Sequence, residues 1–598
     1  MCGLIGSFQF QCLAQPLDLD PLRHRGPDAE GTWHSPDGYC WLGHTRLAIQ
    51  DLSEAGAQPI TSHCGRFTLV FNGEIYNHQQ VRKGLRFQAW CGHSDSETLV
   101  EGLAQRGQAI LLELRGMFAF AAYDSAKQQL LLARDRLGIK PLYISCQPQG
   151  VLFASERRAL PAGHRLDPQT ISQVLAFGHD RTLAEFPGPD TQGIMSLPAG
   201  MVMKVTHTRR HDTVRYWPPK PRPDWSPLPI RDRRWALTVL RQQLEEVVAQ
   251  HLLADVPVAC FLSSGLDSGI LVALASRQRP GGISTFTVAL PGTLQDESVQ
   301  AQQMARHCGC EHHQLIIHGD DALAWVEQAL TAFDTPTADG INTYLISRAV
   351  AAQGIKVALS GLGADELFGG YPSHRLLPWL QLLRWLPCRI RQSLLHKLIP
   401  RQARKFEGLP SWDRWHLGLA LRRWASDQDL DAAGAEPLQW PGSAPQRITQ
   451  AWGQTTWAEL FGYTEPMLLR DSDGMSMACG LELRVPFLDH QLVEIALRMP
   501  QRFQRPGKLL LRQACADLFP PGYLDRPKRG FALPMEAWML GPLRPLCLSR
   551  LAALEQSGWL DASWIIQQWQ AFEAGQLNWP RVWSLVVLGE FNKTERLP

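Results

Sequence analysis

A proline-dense segment divides this chain into two regions with different hydrophobic patterns. Between Trp217 and Trp235, proline recurs too often for a helix or a central strand to persist, because each proline removes a backbone N–H donor. We therefore predict an interdomain linker over residues 206–235. The prolines are Pro218, Pro219, Pro221, Pro223, Pro227 and Pro229.

Residues 2–205 contain short apolar runs separated by Gly, Asn and Asp. Runs of this length, bounded by turn residues, are typical of strands. We expect a mainly β, antiparallel layer with a few helices. The clearest runs are 67–71, 117–123 and 129–133.

Residues 236–598 alternate between helical and strand-like patterns. An amphipathic helix that includes Leu237 and Val248 precedes the apolar run 256–262. Near-continuous apolar strands that alternate with helices predict a parallel sheet covered on both faces. Residues 373–460 are rich in Trp and Arg and are predicted to be helical. The later strands are predicted at 284–290, 312–317 and 356–359.

The overall composition excludes several classes of protein. The net charge is only +2, so the chain as a whole has no strong positive potential that would attract nucleic acid. No apolar run approaches the roughly 20 residues that span a bilayer. The 13 cysteines are scattered without zinc-ligand spacing, and the N-terminus lacks the pattern of a signal peptide. We expect reduced thiols and a cytoplasmic protein.

Two glycine-containing loops each follow a predicted strand. Ser263–Ser268 opens a helix, so that backbone N–H groups and hydroxyls could bind phosphate. No lysine follows Gly265, which excludes the Walker pattern, and a simple serine-capped helix is the alternative. The second loop begins at Ser360. Asp267 in the first loop and Asp365 in the second could share Mg²⁺ with the phosphates of ATP.

Cys2 is a candidate nucleophile. If Met1 is removed, Cys2 carries both a thiol and a free α-amine, and the amine can accept the thiol proton. Taken alone, Met1-Cys2-Gly3 is weak evidence, because in most proteins such a start is an ordinary N-terminus with a buried cysteine.

Further motifs, in order along the chain, are similar to those of the glutamine-hydrolysing asparagine synthetases. This resemblance implies an Ntn-hydrolase αββα sandwich, which is a class II glutamine amidotransferase domain, over residues 2–205. It also implies a doubly wound α/β ATP-pyrophosphatase domain over 236–598. The motifs are 1–6, 24–28, 44–49, 71–77, 94–97, 133–143, 153–156, 263–268, 360–371, 475–478, 481–489 and 526–528.

The resemblance assigns roles in glutamine hydrolysis. Cys2 would attack the glutamine amide, and Asn72 with Gly73 would form the oxyanion hole. Arg46 would bind the α-carboxylate, and Asp95, helped by Gly73 and Glu74, would bind the α-ammonium. The alternatives are a surface ion pair for Arg46 and an ordinary turn at Asn72-Gly73.

The resemblance also assigns roles in ATP chemistry. A carboxylic-acid acceptor would be adenylylated, and ammonia arriving through an internal tunnel would displace AMP. Val288 would line the adenine site or serve only as a core residue, and Lys528 would neutralise the leaving pyrophosphate. The substrates would be glutamine, ATP and the acceptor, with a homodimer as an alternative to a monomer. The loop residues expected to bind ATP are Ser263, Ser264, Gly265, Asp267, Ser268, Ser360 and Gly361.

Two departures leave the acceptor open. Leu362 stands where relatives that amidate aspartate usually carry an acidic residue, and the segment 334–344 contains no basic residue. Burying the charges of free aspartate without partners is costly. The acceptor is therefore either aspartate or a carboxylate on a sugar, peptide or secondary metabolite.

Two other readings of the whole chain stay open. One keeps the amidohydrolase and loses ATP chemistry, which the presence of Asp267, Asp365 and Lys528 disfavours. The other is a non-catalytic assembly protein, which Cys2 disfavours.

The segment from Arg384 to Lys405 is basic and contains no acid. It predicts contact with an acidic surface, a membrane or a polyanionic acceptor, or else a solvated helical face.

Overall fold

A computed structural model describes most of the chain, and the following statements concern these residues. No helix within them is long and apolar enough to cross a membrane. The described ranges are 2–10, 13–161, 166–180, 193–209, 211–218, 225–293, 296–317, 319–399, 402–440, 448–525 and 533–595.

The N-terminal region contains two antiparallel sheets of six strands each, with three α-helices. The strands are β1 (Gly3–Gln9), β2 (Ala29–His34), β3 (Cys40–Arg46), β4 (Ile60–Thr61), β5 (Phe67–Ile75), β6 (Gly116–Asp124), β7 (Gln129–Arg134), β8 (Tyr143–Gln147), β9 (Gly150–Ala154), β10 (Ile194–Ser196), β11 (Met201–Thr206) and β12 (His211–Arg215). The helices are α1 (His78–Lys83), α2 (Asp95–Arg106) and α3 (Pro168–Phe177).

The two sheets stack face to face. Side chains that alternate along each strand pack into the layer between the sheets and into the layer between a sheet and its helices. The strand orders are β10-β8-β9-β1-β3-β2 and β12-β11-β7-β6-β5-β4. On β5, Val70 packs between the sheets, whereas Leu69 and Phe71 face the opposite layer together with Leu99 and Leu103 of α2. Both faces of the strand are buried because successive side chains point to opposite sides. The predicted antiparallel β region is confirmed.

The predicted linker contains a strand. β12 lies within 206–235 and pairs with β11 in antiparallel register, so the sheet continues past residue 205. The sequence pattern concealed β12 because it is an edge strand with mostly exposed polar side chains, which show no apolar alternation.

The C-terminal region contains a parallel sheet of five strands in the order β15-β14-β13-β16-β17. On β13, Cys260 packs with α4 and α5, whereas Ala259 packs on the other face near Val350 of α8. The predicted doubly wound α/β region is thereby confirmed. Its elements are α4 (Arg233–His251), β13 (Val258–Phe261), α5 (Leu266–Gln278), β14 (Ile283–Ala289), α6 (Ser298–His307), β15 (Glu311–Ile316), α7 (Gly319–Ala332), α8 (Ile341–Ala351), β16 (Val357–Leu359) and β17 (Glu482–Arg484).

The order of the strands reverses between β13 and β16, and such a reversal opens a crevice at the carboxyl ends of the strands. Both glycine-containing loops leave the sheet at this point. Helices form most of the remaining structure: α9 (Ala364–Phe368), α10 (Ser373–Leu382), α11 (Cys388–Leu398), α12 (Arg414–Arg422), α13 (Asp427–Ala432), α14 (Ala451–Glu459), α15 (Arg470–Met477), α16 (His490–Arg498), α17 (Leu509–Ala514), α18 (Met535–Leu540), α19 (Arg544–Glu555), α20 (Ala562–Glu573) and α21 (Trp579–Glu595).

Candidate active sites

Cys2 immediately precedes β1 and is buried beside β5. Its backbone N–H donates to Asn72 Oδ1 at 3.2 Å. Burial raises the pKa of the Cys2 thiol. The positive charge of Arg46 lowers this pKa, and the negative charge of Glu482 raises it. Cys2 therefore lies in a closed, polar environment, which we call the Cys2 centre: Cys2, Arg46, Asn72, Gly73, Glu74 and Asp95.

Asn72 has one satisfied and one unsatisfied end. The residue is fully buried, and its Nδ2 has no hydrogen-bond partner among the described residues. A buried amide donor without a partner is costly, so an acceptor supplied by a ligand is the expected complement. Gly73 follows on β5, where an added Cβ would lie 2.2 Å from Met117 O, so strand packing alone requires a glycine.

Arg46 and Asp95 are held in place by backbone groups. The Arg46 guanidinium is buried and donates to Ser53 O at 2.9 Å and to Asp51 O, and it forms no ion pair with any described residue. Asp95 Oδ2 accepts from Ile75 N at 2.8 Å. Burial raises the pKa of Asp95 to about 6. The centre thus combines a fixed cation with a carboxyl group that titrates near neutrality.

The two glycine-containing loops enclose a cavity of 320 Å³ at the reversal of the sheet. We call it the two-loop cavity. Predicted residues that line it are Ser263, Asp267, Ser268, Val288, Ser360, Gly361 and Asp365.

Two other predicted ATP residues, Ser264 and Gly265, do not line the two-loop cavity. Ser264 directs its backbone N–H to Glu297 Oε2 at 3.2 Å, and the N–H of Gly265 donates to Ser263 Oγ at 3.1 Å. Lys528 lies outside the described residues.

Lys508 joins the two acidic residues and is not among the predicted site residues. Its Nζ contacts Asp365 Oδ1 at 2.8 Å and Asp267 Oδ2. Burial disfavours the ammonium, but the two carboxylates outweigh it and raise the pKa of Lys508. The only sequence signal is a lysine after a glycine, which is too common to identify a site.

The donor set fits Mg²⁺ held jointly with phosphate. Asp267 and Asp365 converge on one ammonium group, so their carboxylates can also converge on one cation. No group of three or more His, Cys, Asp or Glu residues in the described part of the chain could hold a metal ion by itself. Mg²⁺ commonly uses one or two carboxylates and completes its shell with phosphate oxygens and water.

Glu366, next to Asp365, lines the same cavity and was not singled out from the sequence. Its Oε1 accepts from Thr464 Oγ1 at 2.9 Å and from Tyr371 OH at 3.2 Å. Burial, and secondarily Asp365, raises the pKa of Glu366 to about 7. A carboxyl group with such a pKa can accept or donate a proton at neutral pH.

The rest of the cavity wall is apolar or uncharged. Among the described residues, no arginine or lysine lines it, and the segment 334–344 contributes Asn342 and Thr343. Leu362 lines the cavity as a partly buried apolar residue.

Arg484 links the two centres. Its backbone carbonyl accepts from Ser360 N at 2.8 Å at the start of the second loop. Its guanidinium binds Glu74 Oε2 at 2.9 Å, next to Asn72 and Gly73, and also contacts Glu482. Arg484 and Glu482 are fully buried. One residue thus touches both the Cys2 centre and the wall of the two-loop cavity.

Comparisons with known proteins give matches over nearly the whole chain. Residues 239–592 match the asparagine synthase family, and residues 1–217 match a glutamine amidotransferase domain family. A putative glutamine-hydrolysing asparagine synthetase of Mycobacterium tuberculosis H37Rv is 31% identical, over 95% of this chain and 91% of its own. Asparagine synthetase 1 of Bacillus subtilis is 27% identical, over 98% and 96%. Amidase chry2 of Gibberella zeae is 27% identical, over 97% and 91%.

Proposed function

The chain belongs to the glutamine-hydrolysing asparagine synthetase family, and we propose that Cys2 releases the ammonia that the two-loop cavity transfers to a carboxylate. As a member of that family it is a glutamine-dependent, ATP-using ligase. We assign glutamine hydrolysis to residues 2–205 extended by β12, and ATP chemistry to residues 236–598.

The proposed glutamine hydrolysis rests mainly on Asn72 Nδ2, a buried donor that has no hydrogen-bond partner among the described residues. After removal of Met1, the Cys2 α-amine takes the thiol proton, and the thiolate attacks the side-chain amide carbon of glutamine. Asn72 Nδ2 and the Gly73 N–H then donate to the developing oxyanion. The C–N bond breaks, ammonia leaves with the proton, and water hydrolyses the thioester to glutamate.

The substrate is oriented by its α-substituents. Two carbonyls hold the Arg46 guanidinium and leave other N–H donors for the α-carboxylate. Asp95, as a carboxylate, attracts the α-ammonium. Glu74 follows Gly73 on β5 and forms an ion pair with Arg484.

The second half-reaction takes place in the two-loop cavity. Serine hydroxyls and backbone N–H groups of Ser263–Ser268 bind the pyrophosphate part of ATP, and Lys508 and Lys528 neutralise its charge. The acceptor carboxylate attacks the α-phosphorus and releases pyrophosphate. Ammonia then attacks the acyl carbon, Glu366 accepts a proton from the attacking nitrogen, and AMP leaves. Mg²⁺ held by Asp267 and Asp365 would offset phosphate charge.

We propose an acceptor other than free aspartate. Free aspartate brings two carboxylates, only one of which reacts, and the described lining offers no arginine or lysine for the other. Leu362 adds apolar surface where an acidic group would contact an ammonium. The similarity to proteins described as amidases, chry2 and chyE, is compatible with acceptors of several kinds in this family.

One assay tests both halves. Glutamate release and pyrophosphate release are measured with glutamine, ATP and a panel of carboxylic acids that includes aspartate. We expect Cys2→Ala to abolish glutamine-driven turnover and to retain ammonia-driven turnover. Glutamate without pyrophosphate for every acid would reject the ligase, and efficient asparagine formation would reject the proposed acceptor class.

A further inference from the structure

Helices α10 and α11, which residues 383–387 connect and which we together call the hairpin, expose large apolar side chains to solvent. Trp379 and Trp385 are 73% and 75% exposed, and Leu398 is 70% exposed. Single exposed apolar residues are ordinary on protein surfaces, whereas six large ones between residues 376 and 398 indicate an interaction site. We call this group the hairpin face: Leu376, Trp379, Leu382, Trp385, Ile390 and Leu398.

The same hairpin carries positive charge without compensation. No aspartate or glutamate occurs between residues 373 and 406. Among the described residues, none of its exposed cations forms an ion pair, whereas the exposed Arg544 elsewhere pairs with Glu573 at 2.8 Å. The exposed cations of the hairpin are Arg375, Arg384, Arg389 and Lys397, and Arg404 follows shortly after it.

The hairpin is firmly attached to the rest of the protein on its opposite side. Leu377 and Leu380 of α10 and Leu395 of α11 pack in one cluster with Phe406 and with Leu417 of α12. The exposed apolar side chains are therefore not needed for core packing. Their position is fixed by the buried residues of the same helices, so the face is available to a partner.

We propose that the hairpin face docks the protein on an anionic membrane surface. Tryptophan side chains favour the headgroup region, leucine and isoleucine enter the acyl boundary, and arginine and lysine bind lipid phosphates. An acidic soluble partner would account for the cations but would leave the exposed tryptophans unexplained. A merely solvated face would account for the cations but not for the exposed tryptophans. Among the alternatives that the basic segment raised, the exposed tryptophans favour the membrane.

The test uses the full-length protein and vesicles of phosphatidylcholine with or without phosphatidylglycerol. We expect at least about tenfold stronger partitioning into anionic vesicles, and weaker partitioning as salt rises, because surface charge is screened. Brominated acyl chains should quench part of the tryptophan fluorescence, a measurement that needs no substitution. Equal partitioning into both vesicle types, or the absence of quenching, would overturn the proposal.

Paired variants identify the face. Trp379→Ser/Trp385→Ser and Arg389→Glu/Lys397→Glu should each lower anionic partitioning by about tenfold or more while glutamine hydrolysis is unchanged. The matched controls are Trp235→Ser, on α4 and 44% exposed, and Arg544→Glu on α19, which should partition like the unmodified protein. Loss of binding in the controls, or binding to soluble polyglutamate but not to vesicles, would reject a membrane role for this face.

Discussion

The Cys2 centre and the two-loop cavity hold charge in different ways. In the Cys2 centre, buried side chains are fixed by neighbouring backbone groups, and one amide donor, Asn72 Nδ2, has no hydrogen-bond partner among the described residues. In the two-loop cavity, half-buried acidic residues surround 320 Å³ of space and converge on a lysine. A neutral amide substrate needs a few preorganised donors, whereas a polyphosphate needs cations and room.

The two centres also depend on each other, because both are in contact with Arg484. Glu74 in the Cys2 centre obtains its counter-charge from Arg484 in the C-terminal region. The two-loop cavity obtains part of its wall geometry from the same residue through Ser360. Variants that affect one centre, the other or the link between them therefore test the comparison directly.

The largest effect is expected from removing Lys508, which contacts two acidic residues that line the two-loop cavity. Lys508→Ala should lower ATP-dependent pyrophosphate release by about 10³-fold or more, because Asp267 and Asp365 lose their shared partner and phosphate loses a cation. Glutamine hydrolysis should stay within a fewfold of normal. Lys356→Ala, which removes a surface lysine of the same region, is the control in the pyrophosphate assay. Equal loss of both activities in Lys508→Ala would contradict separate centres.

Removing the oxyanion donor should affect only the other centre. Asn72→Ala should lower glutamine hydrolysis by about 10²–10³-fold and leave ammonia-driven amide synthesis intact. Steady-state glutamate and AMP assays measure the two rates. Asn77→Ala, in the turn after β5, is the matched control. An unchanged rate of glutamine hydrolysis would exclude Asn72 from the oxyanion hole.

Breaking the link should affect stability and coupling together. Arg484→Met removes the guanidinium that Glu74 and Glu482 share in a buried environment, which should cost about 3–5 kcal/mol in the free energy of unfolding. Urea denaturation measures that loss, and Glu74→Gln/Arg484→Met should recover part of it. The milder Arg484→Lys should reduce the amide formed per glutamate released. A normal ratio in a folded Arg484→Lys protein would show that the link does not couple the centres.

The smallest effect is a pH dependence confined to glutamine binding. The pKa of Asp95 is raised to about 6, so below that pH the carboxyl is protonated and loses its attraction for the α-ammonium. The KM for glutamine should therefore rise about tenfold between pH 7 and about pH 5. Asp95→Asn should have a high KM with little pH dependence over this range. An equally steep rise in that variant would assign the titration to another group.

Local patterns predicted most of the backbone and several members of each centre. The runs around β5, β6, β7 and β13 were found because side-chain alternation and apolar continuity are encoded over a few residues. Edge strand β12 was missed because its exposed side chains carry no such signal. The position of Ser264 against Glu297 was also not predictable, since it depends on how α6 packs beside the loop.

Residues that act across long sequence separations could not be predicted. Lys508 and Asp267 are 241 residues apart, and Glu74 and Arg484 are 410 apart. No local spacing indicates such contacts, because chain folding alone brings them together. The motif 481–489 marked the family but did not indicate that Arg484 reaches into the Cys2 centre.

The sequence by itself determined the family, the candidate nucleophile, the two glycine-containing loops and the acceptor question raised by Leu362. These follow from residue chemistry in short, ordered motifs. Only the tertiary structure decided which charges neutralise one another, which side chains line the two-loop cavity, and that tryptophans of the α10–α11 hairpin face solvent. Charge pairing and exposure depend on distances between remote segments, and those distances exist only after the chain has folded.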